Sequence, residues 1–114
     1  GMEKKYGLRC INVFHAGDGN MHPLILYDAN VPGELERTEA FGAEILKLSV
    51  DLGGTITGEH GVGYEKINSM CDQFCADEIR AFHAVKRAFD PEGLLNPEKA
   101  IPTLYRWVPA STHA

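Results

Sequence analysis

The sequence predicts a small α+β domain of the two-layer ferredoxin-like kind, with an antiparallel sheet and two main helices on one face. Three observations lead to this prediction. Apolar residues alternate with polar ones before position 28, two later segments have helical spacing, and the order is strand, strand, helix, strand, helix. The length of 114 residues suits one domain with a modest core.

The first two strands are predicted to form a hairpin. Residues 8–15 carry β-branched and aromatic side chains, residues 16–20 (AGDGN) have turn chemistry, and residues 21–27 form the returning strand. Pro23 lacks a ladder donor, which favours an edge position or an irregular start for that strand.

The alternation also predicts a register for this hairpin. If His15 is paired with His22, the facing pairs that follow are Val13 with Leu24 and Ile11 with Leu26. Both histidines then lie on one face, at the loop end of the hairpin.

Two helices are predicted in the remainder of the chain. Residues 34–52 have apolar or small residues every three to four positions and end at two glycines, and residues 76–89 end before Asp90-Pro91. Between them we expect a short strand at 55–57 and a Gly-rich loop at 58–63.

The domain boundaries follow from these elements. We expect residues 1–7 to be a cloning scar and leader, residues 8–102 to form the domain, and residues 103–114 to be a frayed tail.

Composition argues against several classes of function. The net charge is −5 and lysines and arginines form no cluster, which argues against nucleic-acid binding. No apolar run approaches the roughly 18 residues of a membrane span, and no secretory signal is visible. Cys10, Cys71 and Cys75 have neither C-x-x-C nor ferredoxin spacing, so we expect reduced thiols in a cytoplasmic protein.

Two Gly-rich motifs carry the candidate chemistry. The segment 15–22 (HAGDGNMH) places two imidazoles at the mouth of the hairpin, and 58–63 (GEHGVG) adds a carboxylate and a third imidazole. Two histidine nitrogens and one carboxylate oxygen would suit Zn²⁺, Mn²⁺, Co²⁺ or Fe²⁺ and leave open positions. The alternative is ordinary hydrogen-bonded histidines in the core or at the surface. For His83 and His113 we expect a structural or solvated role.

Other ligand sites are disfavoured by the spacing of the motifs. Asp18 and Asn20 lack the acidic 12-residue pattern of a calcium loop. The glycines at 53–63 are not followed by Gly-Lys-Ser/Thr, so they do not form a phosphate loop.

Three separated segments resemble a known family, the C-terminal domain of the FAD-linked oxidases. They are 14–25 (FHAGDGNMHPLI), 53–63 (GGTITGEHGVG) and 89–97 (FDPEGLLNP), and the resemblance covers residues 8–102. Within this family, which includes D-lactate and D-2-hydroxyglutarate dehydrogenases, the motifs are most similar to the bacterial glycolate oxidase branch.

The resemblance implies roles by position. His15, His22 and Glu59 correspond to the family's metal ligands, with Zn, Mn or Fe as the metal. His60 corresponds to the base that takes the hydroxyl proton, and Asn96 lies where relatives pack against the flavin. The implied reaction is oxidation of a small 2-hydroxyacid to a 2-oxoacid, with hydride transfer to FAD.

The resemblance also implies that other polypeptide is needed. Family members are several times longer and carry an FAD-binding domain, so this chain is expected to be inactive without it. Glycolate-branch relatives work with electron-transfer subunits, which implies a cytoplasmic protein or one held peripherally at the inner membrane. The alternatives are a non-catalytic, stand-alone metal- or ligand-binding module, and a metal-dependent hydrolase with Glu59 or His60 as base.

Two positions depart from the family pattern. Relatives have glycine where this chain has Glu98, which puts the turn beside Asn96 in question. The 2-hydroxyglutarate branch has asparagine where this chain has Leu24, which argues against a polar pocket for a long dicarboxylate.

Overall fold

The computed structural model describes residues 1–102 and has the α+β class that the sequence predicts. The predicted tail at 103–114 and His113 lie outside the described residues. The chain divides into a first unit, Gly1–Leu48, and a second unit that begins at Ser49. The helices and strands are α1 (Met2–Tyr6), β1 (Arg9–His15), β2 (Asn20–Leu26), α2 (Glu34–Asp51), α3 (Met70–Gln73) and α4 (Ala76–Phe89).

β1 and β2 form the predicted antiparallel hairpin, but the predicted register is wrong by two residues. His15 lies opposite Asn20, and His22 lies opposite Val13. The physical reason is a shorter turn, because β2 already begins at Asn20 and only residues 16–19 reverse the chain. A shift of two positions keeps every side chain on its face, so both histidines still share one face of the ladder.

The segment at 1–7, expected to be a leader, contains the helix α1. Tyr6 stacks on Phe41 of α2, with ring centroids 5.2 Å apart. Lys5 Nζ and the Tyr6 hydroxyl both donate to the Glu44 carboxylate, at 2.6 and 2.5 Å. Glu3 in turn accepts the Cys10 N–H at 2.8 Å, which occupies a donor of β1. The helix therefore belongs to the packing of the first unit.

α2 follows the predicted helix closely and ends one residue earlier, at Asp51. Its start is held by Glu34, whose carboxylate accepts the Asp28 N–H at 2.6 Å. Gly53 lies two residues beyond the end of α2, and its φ of 89° is in the left-handed region that favours glycine. Phe41 is 2% exposed and, with Leu8, forms the buried apolar core of the first unit.

The strand predicted at 55–57 is wrong, because the sheet of the described residues has only β1 and β2. Side chains take the backbone groups that a third strand would need. The Ile56 N–H donates to Gln73 Oε1 at 3.0 Å, the Ser49 hydroxyl donates to the Thr55 carbonyl at 3.0 Å, and the Thr55 hydroxyl donates to the Thr57 carbonyl at 2.7 Å. Local side-chain bonds of this kind compete with a ladder.

The second unit has one helix that the sequence pattern did not indicate, α3, and one with the predicted bounds, α4. α4 begins with a capping box in which the Glu78 carboxylate accepts the Cys75 N–H at 2.8 Å. Among the described residues of this unit, the buried apolar side chains include Ile56, Ile67, Met70, Ile79 and Pro102.

The three cysteines, Cys10, Cys71 and Cys75, are free thiols. Within residues 1–102, no helix combines the length and apolarity that a bilayer crossing requires.

Candidate metal centre

The hairpin brings His15 and His22 together in the first unit. His15 ends β1 and His22 is the third residue of β2, and their register positions are diagonal neighbours on one face. Their ring centroids are 5.3 Å apart and the rings are nearly perpendicular, at 79°. His15 is exposed and His22 is half-buried, so the pair lies at the rim of the hairpin.

The turn between the strands explains why these two rings meet. Residues Ala16–Asp18 form a single 3₁₀ turn, and Gly19 follows with φ of 66°. The Gly19 N–H donates to the Ala16 carbonyl at 3.4 Å. A side chain at Gly19 would strain this left-handed backbone, so the glycine permits the tight reversal that brings His22 near His15.

The spacing of the two rings fits a shared metal ion. Two imidazoles that bind one tetrahedral ion at about 2 Å have ring centroids about 5 Å apart. The observed 5.3 Å agrees with that separation. Imidazole nitrogens are also the donors that Zn²⁺ and related divalent ions prefer.

The second unit brings Glu59 and His60 together in the Gly-rich loop. His60 Nε2 lies 3.6 Å from Glu59 Oε1. The two side chains are 74% and 45% exposed, so both can reach a ligand outside the loop. A carboxylate and an imidazole side by side can serve as a metal ligand and a base.

The conformation of this loop is set by its glycines and by one distant contact. Gly61 has φ of 82° and Gly63 has φ of 53°, both in the left-handed region. The Gly63 carbonyl accepts the Ala100 N–H at 2.7 Å, which ties the end of the loop to the segment after α4. Glu59 and His60 precede this tie, on the exposed part of the loop.

Asn96 lies on a loop that is organised by Asp90, a residue whose role the sequence pattern did not reveal. The buried Asp90 carboxylate accepts the N–H groups of Leu94 and Leu95, each at 3.0 Å. Lys86 Nζ also bonds to this carboxylate and to the Leu95 carbonyl. These bonds lower the pKa of Asp90, with the Lys86 contact as the largest cause and burial opposing it. In the sequence, Asp90-Pro91 predicted only the end of the second helix, and nothing in the pattern marked Leu94 and Leu95 as partners of the acid.

The structure answers the question that Glu98 raised about the turn. Asn96, Glu98 and Ala100 all have positive φ, at 44°, 59° and 63°. Asparagine tolerates this region, whereas glutamate is strained in it. Glycine is therefore the residue that the backbone favours at position 98.

The comparisons with known proteins identify the family of the chain. The family described as FAD linked oxidases, C-terminal domain, matches residues 2–100. The chain belongs to this family. The matched range contains the α1 segment, which lies within the residues 1–7 that are predicted from the sequence to be a scar and leader.

The domain is similar to curated relatives of two kinds, glycolate oxidase subunits and D-lactate dehydrogenases. It is 67% identical over 105 residues to glycolate oxidase subunit GlcD of Escherichia coli K12, which is 92% of this chain and 21% of that protein. It is 45% identical over 95 residues to GlcD of Bacillus subtilis, covering 83% of this chain and 20% of that protein. It is 36% identical over 102 residues to the D-lactate dehydrogenase of Archaeoglobus fulgidus, covering 88% and 22%. The chain spans about a fifth of the length of these relatives.

Proposed function

We propose that this domain supplies the metal- and substrate-binding part of an FAD-dependent 2-hydroxyacid oxidoreductase of the glycolate or D-lactate type. The observation that carries the proposal is the His15–His22 pair, whose ring separation of 5.3 Å suits one shared ion. The names of the relatives support the substrate class, since they are glycolate oxidase subunits and D-lactate dehydrogenases.

In this proposal His15, His22 and Glu59 hold a divalent ion, Zn, Mn or Fe. The donor set of two imidazoles and one carboxylate is chemically suited to these ions. When bound, the ion would polarise the carboxylate and the 2-hydroxyl of the substrate. The pairing of the two histidines in one unit makes them the primary ligands, and Glu59 the ligand that completes the set.

His60 is the proposed base for the 2-hydroxyl proton. Its ring is 74% exposed, which makes it accessible to a substrate outside the loop. Glu59 Oε1 lies 3.6 Å from its Nε2, so the proposed base stands directly beside the proposed metal ligand of the loop. The domain has no side chain that can accept a hydride, so the flavin of the complete enzyme would take it.

Asn96 is proposed to face the flavin. Its left-handed backbone, φ 44°, and the Asp90 bonds to the preceding leucines hold the loop in one conformation. An amide in such a preordered loop can donate to or accept from a cofactor without first being ordered.

The histidine-bearing face of the hairpin supports a small substrate. Leu24 lies on the same face as His22 and is 50% exposed. It offers no hydrogen bond to a second carboxylate, so glycolate or D-lactate suits this face better than a long dicarboxylate.

The proposal includes partners. An FAD-binding domain would bind most of the cofactor, because the relatives contain about four-fifths of their length outside the matched segment. Electron-transfer subunits are the second expected partner, which fits the word subunit in the name of the E. coli relative. In the cell we propose a cytoplasmic protein, held peripherally at the inner membrane through those subunits.

The test is a chimera in which this chain replaces the matching 105-residue segment of E. coli GlcD. We expect the chimera to bind FAD and to show glycolate-dependent bleaching of the flavin absorbance under anaerobic conditions. Elemental analysis of the same preparation should find one divalent ion per chain. The 114-residue chain alone should show no flavin reduction.

Two results would contradict the proposal. A folded, FAD-bound chimera that neither glycolate nor D-lactate reduces would remove the oxidoreductase assignment. Tight metal binding by the isolated chain combined with such an inactive chimera would favour the stand-alone metal-binding module.

A further inference from the structure

Helix α4 is covered along only half of its apolar face. The spacing of Ile79, Phe82, Val85 and Phe89 predicts one continuous stripe. In the structure Ile79 is fully buried, Phe82 is half-buried, Val85 is 60% exposed and Phe89 is 83% exposed. The apolar stripe is therefore buried at the N-terminal end of α4 and exposed to solvent at the C-terminal end of the helix.

This exposed half of α4 forms one wall of an apolar groove of about 630 Å³ within the second unit. The other lining side chains are mostly aliphatic or aromatic. Those that face the α4 wall include Ile56, Val62, Met70, Phe74 and Ile101. Contiguous exposed apolar side chains of this kind are a feature of protein interaction sites, whereas scattered single ones are ordinary surface.

Few polar side chains line the groove, and among the described residues that line it only Lys86 carries a charge. Lys86 Nζ bonds to Asp90 and to the Leu95 carbonyl, and the Gln73 side-chain oxygen accepts the Ile56 N–H. The Thr57 hydroxyl is buried and has no hydrogen-bond partner among residues 1–102. The groove thus suits apolar side chains better than an ionic ligand.

We infer that apolar side chains from the remaining polypeptide of the full-length enzyme cover this groove. The matched segment is 21% of the length of E. coli GlcD, so about four-fifths of such a protein lies outside this chain. Each of these relatives therefore has a long stretch of polypeptide outside the matched segment that could cover the groove. The inference rests on the proposed function in taking the FAD-bearing polypeptide as the partner.

A cysteine-accessibility experiment tests the inference. Phe89→Cys is made in the 114-residue chain and in the GlcD chimera, and the rate of maleimide labelling is measured by peptide mass spectrometry. Because Phe89 is 83% exposed, the substitution should leave the fold intact. Arg87→Cys is the matched control, since this exposed residue lies on the same helix and does not line the groove.

We expect the thiol introduced by Phe89→Cys to react at least about tenfold more slowly in the chimera than in the isolated chain. The thiol introduced by Arg87→Cys should react within about twofold of the same rate in both. Val85→Cys, which also lines the groove, should follow the Phe89→Cys result.

Equal labelling of Phe89→Cys in the two proteins would overturn the inference. Slow labelling already in the isolated chain, together with a dimer mass in sedimentation, would assign the groove to a second copy and would also overturn it. FAD content and glycolate-dependent flavin bleaching are recorded on the same chimera. Protection without flavin reduction would retain the inference and contradict the proposed function.

Discussion

The hairpin of the first unit and the loops of the second unit are ordered by different means. Arg9–Leu26 is ordered by a backbone ladder, in which each residue of β1 faces a fixed residue of β2. The loops around Gly53–Gly63 and Asp90–Pro102 have no ladder and depend on single side chains and on left-handed backbone positions. A ladder places the two histidines as a rigid pair, whereas Glu59 and His60 depend on local contacts. The two halves of the proposed centre should therefore respond differently to substitution.

The largest expected effect separates metal binding by His22 in the hairpin from proton transfer by His60 in the Gly-rich loop. In the GlcD chimera, His22→Ala should lower metal affinity by about 100-fold or more, because it removes one donor of a rigid pair. His60→Ala should retain the metal and lower glycolate turnover by about 100-fold or more, as expected for the loss of a general base. Elemental analysis and anaerobic flavin bleaching measure the two quantities.

The exposed residue Glu65 offers a control for this prediction, since Glu65→Gln should change neither quantity. If His60→Ala removed the metal as fully as His22→Ala, His60 would itself be a metal ligand and its proposed role as the base would be wrong.

The next effect concerns the side-chain tie that orders the Asn96 loop. Asp90→Asn should lower the melting temperature by several degrees at neutral pH, because the buried carboxylate binds two N–H groups and Lys86. Folding lowers the pKa of Asp90. The ionised carboxylate therefore stabilises the folded state at pH values above its ordinary pKa of about 3.9, and this stabilisation is lost as the pH falls through the lowered pKa of the folded state. The difference between the parent and Asp90→Asn should therefore vanish in acid.

Thermal unfolding of the 114-residue chain from pH 7 down to strong acid measures this dependence. Asp77→Asn is the control, because Asp77 pairs with Arg80 at the surface and is 85% exposed. A melting difference that stayed constant with pH would contradict the assigned role of the Asp90 charge.

A smaller effect tests the hairpin turn. Gly19→Ala should destabilise the chain by about 1–2 kcal/mol, because φ at Gly19 is 66° and alanine is strained there. Gly17→Ala is a close control, since Gly17 has no positive φ and an added Cβ would meet nothing within 4 Å. Urea unfolding of the three proteins at one pH gives the comparison.

Equal losses at Gly17 and Gly19 would show that the turn geometry does not set the hairpin. The histidine pair would then need another explanation for its spacing.

The same contrast explains what the sequence could predict. Periods of two and of about 3.6 residues report which face a side chain occupies, so the shared face of His15 and His22 and the bounds of α4 were predictable. The periodicity of the sequence does not fix the register of the hairpin, which depends on whether the turn contains four residues or six. The length of the turn follows from the left-handed backbone at Gly19. The prediction of a third strand at 55–57 was wrong because the side chain of Gln73, which is distant in sequence, accepts the Ile56 N–H. The tie from Asp90 to Leu94 and Leu95 was missed for a similar reason, since it depends on burial rather than on spacing.

The smallest expected effect is a gain in stability from a substitution in the loop Asp90–Pro102, which is outside the β-sheet. Glu98 has φ of 59°, a conformation that costs a non-glycine residue about 1–2 kcal/mol. Glycine removes that strain but adds about 0.5–1 kcal/mol of chain entropy in the unfolded state. Glu98→Gly should therefore stabilise the domain by about 0.5–1 kcal/mol in urea unfolding. Glu92→Gly is the control, because it removes the same charge at a residue without positive φ and should destabilise the domain slightly. If both variants stabilised the domain, the gain would come from the loss of negative charge, and the claim of backbone strain at Glu98 would be wrong.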